Sequence, residues 1–335
     1  MIQTTAPCRA DLAGGTLDLW PLYLFHPGAV TVNFAVSIVT GCRITPHRGR
    51  AITLRSLDTR REEVFRDLRA LLAANSYRHS LACFAVRYFA GDIRGGFTLE
   101  TDSHSPAGAG ISGSSALMIA TCAALARFTG RNFTREQLRE LAQDIEAQII
   151  NVPTGCQDYY PALFGGVSAI HLDPGNVRRE GLKVPAGEIN RRFLLAYTGA
   201  PRQSGINNWE VFKAHVNGDR RIFHNFEEIA SIANGMRSAL LKKDWNDVAR
   251  LLRAEWTLRR TNAPGITTPM IDSLVRSASR VGSRAAKVCG AGGGGCVLFF
   301  IEPDARERVS AALTKLGAQV LPFRVHTNGL QVHTG

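Results

Sequence analysis

Glycine, serine, aspartate and arginine stand in this chain at spacings that suit phosphate chemistry. The stretch Pro106-Ala-Gly-Ala-Gly-Ile-Ser-Gly-Ser-Ser-Ala-Leu117 sets Gly108, Gly110 and Gly113 beside Ser112, Ser114 and Ser115, and a small-apolar run follows at once. Glycines let a backbone approach a ligand closely, and a loop entering a helix N-terminus aims free N–H groups outward. The positive end of the helix dipole makes phosphate the natural guest there. The plain alternative is a glycine-rich turn before a buried helix. Elsewhere, Arg9 and Asp18 bracket a Gly14-Gly15 turn, and Asp158 stands at the exit of Asn151-Val-Pro-Thr-Gly-Cys-Gln-Asp158. Glu146 lies at the edge of an apolar helical face, where a carboxylate is a solvated flank unless something partners it.

Two familiar phosphate loops are excluded. Residues 108/110/113 and 290/292/295 both satisfy Gly-x-Gly-x-x-Gly, which raises a dinucleotide-binding dehydrogenase. The second loop opens a strand rather than the helix that grips a pyrophosphate. The first has the right order, but Arg131-Asn-Phe-Thr134 offers no acidic group about twenty residues on, where the ribose needs one. No Lys-Ser or Lys-Thr follows either loop, so a Walker loop is absent too.

The elements that must position these residues are readable from periodicity. Residues 30–39, 51–57, 97–101, 167–172, 193–197, 296–301 and 319–323 have strand character. Residues 64–90 read as helical, and 116–128 form a helix apolar nearly all round, hence buried. Thr134-Arg-Glu-Gln137 is a capping-box pattern ahead of a helix with Leu138, Leu141, Ala142, Ile145 and Ile149 on one face. Further helices are expected at 219–241, 245–258, 269–280 and 304–316, the third with Thr268 as N-cap and Pro269 in its first turn. Residues 173–189, charged and containing proline and glycine, read as a passage between two domains, 1–185 and 186–335. Mixed strands and helices without regular alternation give an α+β class.

Composition narrows the function classes. The 335 residues allow two ordinary domains, and 45% hydrophobic with 20% charged residues describes a globular chain. No apolar run approaches the ~20 residues of a membrane span, and the start lacks the pattern of a secretion signal. The seven cysteines are scattered without metal-site spacing, so reduced thiols in a cytoplasmic protein are expected. A net charge of +12 raises nucleic-acid binding, but the basic pairs, from Arg60-Arg61 to Arg259-Arg260, are spread along the whole chain. A basic surface that attracts anionic substrates is the expected reading, with no nucleic-acid or membrane partner. Monomer and homodimer both stay open.

Three separated motifs resemble those of the GHMP kinases, the superfamily of galactokinase, homoserine kinase, mevalonate kinase and sugar kinases. They are Ala6-Pro-Cys-Arg-Ala-Asp-Leu-Ala-Gly-Gly-Thr-Leu-Asp18, the loop 106–117, and Lys287-Val-Cys-Gly-Ala-Gly-Gly-Gly-Gly-Cys296, in family order. With the Gly-x-Gln-Asp turn and Tyr197-Thr-Gly199, they look most like the heptose 7-phosphate kinase and fucokinase branch. The resemblance implies a two-domain fold, the first domain carrying a ribosomal-protein-like βαβ unit and the second ferredoxin-like. It implies ATP and Mg2+ as cofactors and a sugar or sugar phosphate as acceptor.

It also implies roles. Pro106, Gly108, Ala109, Gly110, Ser112, Gly113, Ser114 and Ser115 would hold ATP phosphates, with Ser115 and Glu146 on magnesium. Asp158 would take the proton of the acceptor hydroxyl, and Arg9 would stabilise the charge of the transferred phosphoryl group. Asp18, Gly15 and Thr16 would meet the acceptor, with Gly292 and Gly293 closing the site and Arg202 meeting an anionic substituent. Galactokinases carry Gly-Glu-His-Thr-Asp where this chain has Gly14-Gly15-Thr16-Leu17-Asp18, which argues against galactose. Ser112-Gly113 reverses the usual order, so either Ser114 or Ser115 could take the metal. A kinase for a mevalonate- or homoserine-like alcohol and a non-catalytic sugar or ATP sensor are the alternatives.

Overall fold

β-Branched runs assemble into two sheets, one built mainly from the first half of the chain and one from the second, and apolar helices pack on them. The computed structural model describes residues 1–201 and 206–335. In the first sheet, β1 (Ile2–Ala13) pairs antiparallel with the 18-residue β2 (Val30–His47). Three strands follow, β3 (Ile52–Ser56), β4 (Arg61–Phe65) and β5 (Gly96–Ser103); β5 joins the end of β2, β3 runs parallel to β5, and β4 closes that edge. The start of β2 pairs instead with β6 (Val167–Asp173), onto which β7 (Asn176–Leu182) folds as a hairpin. The second sheet is antiparallel, ordered β11 (Gln319–Leu321), β8 (Phe193–Tyr197), β10 (Cys296–Ile301), β9 (Ser283–Val288). A last strand, β12 (Gln331–Thr334), returns to the first sheet on the free side of β1.

The helices are α1 (Leu68–Ala73), α2 (Ser80–Phe89), α3 (Gly113–Thr129), α4 (Arg135–Ile150), α5 (Tyr159–Phe164), α6 (Ala186–Arg192), α7 (Ile206–Val216), α8 (Arg220–Lys242), α9 (Trp245–Arg259), α10 (Pro269–Ser279) and α11 (Arg306–Lys315). α3 packs on β1 and β2 on one side and on α2 and α4 on the other. An all-round apolar sequence suits a helix covered in this way. The capping box forms as expected: the Thr134 hydroxyl accepts from the Gln137 amide at 3.2 Å, and Gln137 Oε1 accepts from the Thr134 amide at 2.9 Å. β10 is buried throughout, Val297, Phe299 and Ile301 facing one core and Cys296, Leu298 and Phe300 the other. It therefore reads as a continuous apolar run and joins the two cores. Among the described residues no helix is long and apolar enough to cross a membrane.

One sequence expectation is corrected. Residues 64–90 are not helical throughout: Arg61–Phe65 pairs with Ile52–Ser56 as an edge strand, and two helices follow. Strand pairing across a turn overrides local helical spacing there. Residues 173–189 carry regular structure of their own. Pro174-Gly175, with Gly175 at φ +69°, turns β6 into β7, and α6 follows.

A buried histidine pair ties α7 to the segment after β1. His26 Nε2 and His215 Nε2 lie 2.8 Å apart, so they share one proton, and Phe25, Phe223 and Phe226 surround them. Burial, and then the neighbouring His215, pull the His26 pKa down to about 4. The unfolded chain then binds more protons than the native one between pH ~6.5 and ~4, so stability falls as pH drops through that window. Urea midpoints measured across this range should decline, and His26→Gln should flatten the decline; an equally steep slope in the variant would contradict this account of the pair.

Candidate active site

The serine-glycine loop takes its shape from residues in the left-handed region. Gly108 (φ +65°), Gly110 (φ +73°) and Ser112 (φ +62°) turn the chain so that α3 starts at Gly113. Ser112 caps α3 without a side-chain bond, so its hydroxyl uses none of the first-turn N–H groups, and its buried Oγ has no partner. Free amides, an unpartnered hydroxyl and a helix N-terminus with no acidic residue in its first turn make an anion cradle. The second glycine loop supports it from behind. The Cys296 amide donates to Ala109 O at 2.7 Å, and a Cβ on Gly295 would lie 2.7 Å from that same oxygen.

α4 brings Glu146 to the mouth of this cradle. Its carboxylate is buried, accepting from Ser114 Oγ at 2.5 Å on one oxygen and from the fully buried Tyr159 hydroxyl at 2.7 Å on the other. Burial pushes its pKa up; hydrogen bonds from Ser114, Tyr159 and Ser115 offset this in part, and the charge of Asp158 adds to it. A buried carboxylate beside two serine hydroxyls is a set of hard oxygens, and a divalent cation with phosphate oxygens would relieve its desolvation. The donors therefore fit magnesium. No three His, Cys, Asp or Glu side chains among the described residues surround one point, so phosphates and water would complete the shell. Ser114 makes the 2.5 Å bond and is exposed, whereas Ser115 is buried. Starting the helix at Gly113 turns Ser114 toward the cavity.

Asp158 occupies the N-cap position of α5, but its side chain makes no cap hydrogen bond; its Oδ1 instead accepts from Arg9 Nε at 2.9 Å and Nη2 at 2.6 Å. Arg9, on β1 and only 4% exposed, spends Nη1 on Gly110 O at 2.9 Å and Cys289 O at 2.6 Å. One guanidinium thus joins the first loop, the start of the second and Asp158. A cavity of about 460 Å³ runs from the apolar Leu81, Ile149, Ile150, Val152 and Pro153 past the serine loop to Asp158. A second, of about 50 Å³, lies beyond it and is lined by Arg9, Asp11, Thr16, Asp18, Arg259 and Gly290 among others. Leu19, Gly155, Asp158 and Asn208 line both. Asp158 stands where the two spaces meet.

The small cavity is polar and rigidly framed. Asp18 is buried, accepting from the Gln157 amide at 2.9 Å and from Gln157 Nε2 at 3.3 Å. A Cβ on Gly155 would sit 2.0 Å from Asp18 Oδ2, so that glycine makes room for the carboxylate. Burial, and then the charge of Asp158, raise the Asp18 pKa to about 6. Thr16 holds φ +78°, an unfavourable conformation for a β-branched residue. Its hydroxyl bonds Asn208 Oδ1 and accepts from Arg259 Nη2, both at 3.2 Å.

Arg259, at the end of α9, was not foreseen from sequence. It also donates to Gly15 O at 2.9 Å and Gly290 O at 3.2 Å, and pairs with Glu255. Behind it Lys287 Nζ, fully buried, bonds Asp11 Oδ2 at 2.6 Å and Glu255 Oε1 at 2.9 Å. The available signal was periodicity: Val248, Leu251, Leu252, Glu255, Trp256 and Arg259 share one helical face, two charges among buried apolar residues.

Other expected contacts fall elsewhere. Gly15 is not among the cavity-lining residues: a Cβ there would lie 2.7 Å from Arg259 Nη1 and 2.9 Å from Asp11 Oδ2, so the glycine allows that close packing. Gly292 and Gly293 do not line either cavity. Gly292 packs on the Ile266 backbone and the Gly293 amide donates to Ile266 O at 3.0 Å; Gly290 and Ala291 face the small cavity instead. The loop needs several residues to reach Ile266 and the first loop, and only its start borders the site. Arg202 lies outside the described residues.

Comparison with known proteins bears on the family and the fold. The model of the GHMP kinases N terminal domain matches residues 77–166, and that of the GHMP kinases C terminal domain residues 236–319. The chain is 25% identical to a D-glycero-alpha-D-manno-heptose 7-phosphate kinase of Campylobacter jejuni, over 98% of each chain. It is 30% identical to a probable glucuronokinase 2 of Arabidopsis thaliana, over 68% of this chain and 64% of that one. In fold it resembles a D-glycero-D-manno-heptose 1-phosphate kinase from Bacteriodes thetaiotaomicron (TM-score 0.78, 22% identity, 100% and 99% coverage). A Lactococcus lactis galactokinase complexed with galactose is similar as well (TM-score 0.82, 18% identity, 98% and 95% coverage). With both halves matched in order, and a phosphate cradle facing a polar pocket across Asp158, the chain belongs to the GHMP kinase family.

Proposed function

We propose that this kinase transfers the γ-phosphoryl group of ATP to a hydroxyl of a monosaccharide or sugar phosphate. The observation that carries the proposal is Asp158, held by Arg9 at the junction of a long, part-apolar cavity and a small polar one. The apolar end of the long cavity suits a nucleobase, and the amides at the start of α3 suit the phosphates. Ser114, Ser115 and Glu146 would hold magnesium, which would supply positive charge to offset the negative charge of the phosphates. The acceptor hydroxyl would enter from the small cavity, its oxygen bonding to the γ-phosphorus as the bond to the ADP oxygen breaks, and its proton passing to Asp158. An aspartate is a weak base toward an alcohol, but a loose transition state with late proton removal tolerates that. Arg9 would meet the negative charge that develops on the transferred group. Carboxylates at the acceptor end favour a polyol, which donates several hydroxyls, and the full-length likeness to a heptose phosphate kinase points the same way.

Acceptor-dependent ADP release, screened over sugars, sugar phosphates, mevalonate and homoserine, tests this reading. A response to a sugar or sugar phosphate is expected. A response confined to a non-sugar alcohol would overturn it.

The raised pKa of Asp18 adds a pH signature. As pH falls through about 6, Asp18 takes up a proton and ceases to be a carboxylate acceptor for sugar hydroxyls. The acceptor kcat/KM should therefore decline below pH ~6, and Asp18→Asn should remove that limb of the profile. An unchanged limb in the variant would assign the titration to another group.

A further inference from the structure

Asp11 sits two residues after Arg9 on β1, lines the small cavity and is 1% exposed. Its two oxygens are used unequally. Oδ2 accepts from Lys287 Nζ at 2.6 Å, whereas Oδ1 is buried and without a hydrogen-bond partner. A buried carboxylate oxygen left unpaired is costly, which marks it as a position for an incoming donor. The surroundings keep the group ionised: burial alone would raise its pKa, but the charges of Lys287, Arg259 and Arg9 outweigh it and hold it below the usual carboxylate range. They also hold it still, because Lys287 is pinned between Asp11 and Glu255, and Glu255 pairs with Arg259. The neighbouring cations do not fill the gap. Arg9 is spent on Asp158, Gly110 and Cys289, and Arg259 on Gly15, Thr16, Gly290 and Glu255.

We infer that Asp11 Oδ1 is an acceptor-binding oxygen that receives a hydrogen bond from a hydroxyl of the sugar other than the one phosphorylated. The inference rests on the sugar-kinase reading and adds to it a second carboxylate contact besides Asp18. Asp18 and Asp11 approach the small cavity from the turn and from the strand, so they fix two points of a polyol while Asp158 attends the reacting hydroxyl. Asp11→Asn tests this with little change of shape. Lys287 retains Glu255 and the Asn carbonyl, and the Asn NH2 then occupies the place of Oδ1, presenting a donor where the sugar needs an acceptor.

The experiment uses the full-length enzyme with the best acceptor from heptose 7-phosphate, L-fucose, D-mannose and D-glucuronate, together with monodeoxy analogues of that sugar. Asp11→Asn is expected to raise the acceptor KM about 10- to 100-fold, as loss of a hydrogen bond to a charged group does, while the ATP KM stays within about twofold. One deoxy analogue should be used equally well by wild type and variant, because the hydroxyl that Asp11 receives is already gone. An unchanged acceptor KM, or the same penalty on every analogue, would overturn the assignment. If Asp11→Asn does not fold, a crystal structure of the wild type with the same sugar decides: a sugar oxygen within hydrogen-bond distance of Oδ1 is expected, and water or nothing there overturns it. A wild-type enzyme that phosphorylates none of the sugars would defeat the sugar-kinase reading and this inference with it. Turnover of a sugar with Asp11 indifferent would defeat only the inference.

Discussion

Asp158→Asn is expected to lower kcat about 10²- to 10⁴-fold, the range for loss of a positioned general base, with little change in ATP affinity. The substitution keeps the shape of the side chain, and the Asn carbonyl can still accept from Arg9. What it removes is, among the described residues, the one anionic group lining both cavities, and the other carboxylates of the small cavity have partners of their own. Asp18 is tied to Gln157 and Asp11 to Lys287, so neither can replace it. The proposed ATP contacts lie on the other side, in the serine loop and the apolar end of the long cavity, so nucleotide binding should survive. ADP release with saturating acceptor, set beside ATP binding by calorimetry, separates the two effects. Near-wild-type turnover in the variant would remove Asp158 from the chemistry.

Arg9→Lys should lower kcat about 10²- to 10³-fold, comparable with loss of one donor that stabilises developing charge, and should also lower the melting temperature. Lysine keeps the charge but not the planar fork of donors. In the native protein that fork reaches Asp158 through Nε and Nη2, and Gly110 and Cys289 through Nη1. A shorter ammonium group cannot hold all three, and each buried carbonyl left unpaired costs about 1–3 kcal/mol. The loop at Gly110 would loosen and Asp158 would lose its orientation. Because Arg9 and Asp158 share one hydrogen-bonded unit, the double variant should be little worse than the more damaging single one. Fully additive losses would mean that the two residues act separately.

The parts of the site that lie on local motifs were legible before the fold was known. A glycine loop ahead of an apolar helix, a capping box and a Pro/Gly turn ending in aspartate are short-range patterns, and each forms the local structure that its residues favour. That Arg9 meets Asp158, 149 residues away, came only from the family resemblance; nothing in spacing could bring them together. The frame behind the small cavity has no short-range signature. Asp11, Glu255, Arg259 and Lys287 come from β1, α9 and β9, and their pairing depends on how the sheets dock. Glu255 and Arg259 did leave a trace, as charges on an apolar helical face, and the same trace singled out Glu146 on α4. In both helices the misplaced charge is a buried partner rather than a solvated flank. The strands β4, β7 and β12 were missed because their polar, exposed residues carry little alternation, and they exist as edges paired to stronger neighbours. The two glycines placed at the substrate, Gly292 and Gly293, show the limit of motif reading. A loop can adjoin a site and spend most of its residues on the backbone behind it.

The central claim is that the phosphoryl group crosses from the long cavity to a hydroxyl held in the small one. Phosphorus-31 NMR of ATP, magnesium and the best sugar acceptor, followed in time with the enzyme, tests it most directly. The γ-phosphate resonance should disappear in step with the growth of ADP and of one phosphomonoester signal coupled to a sugar proton. Accumulation of ADP with inorganic phosphate alone, and no phosphomonoester, would contradict it.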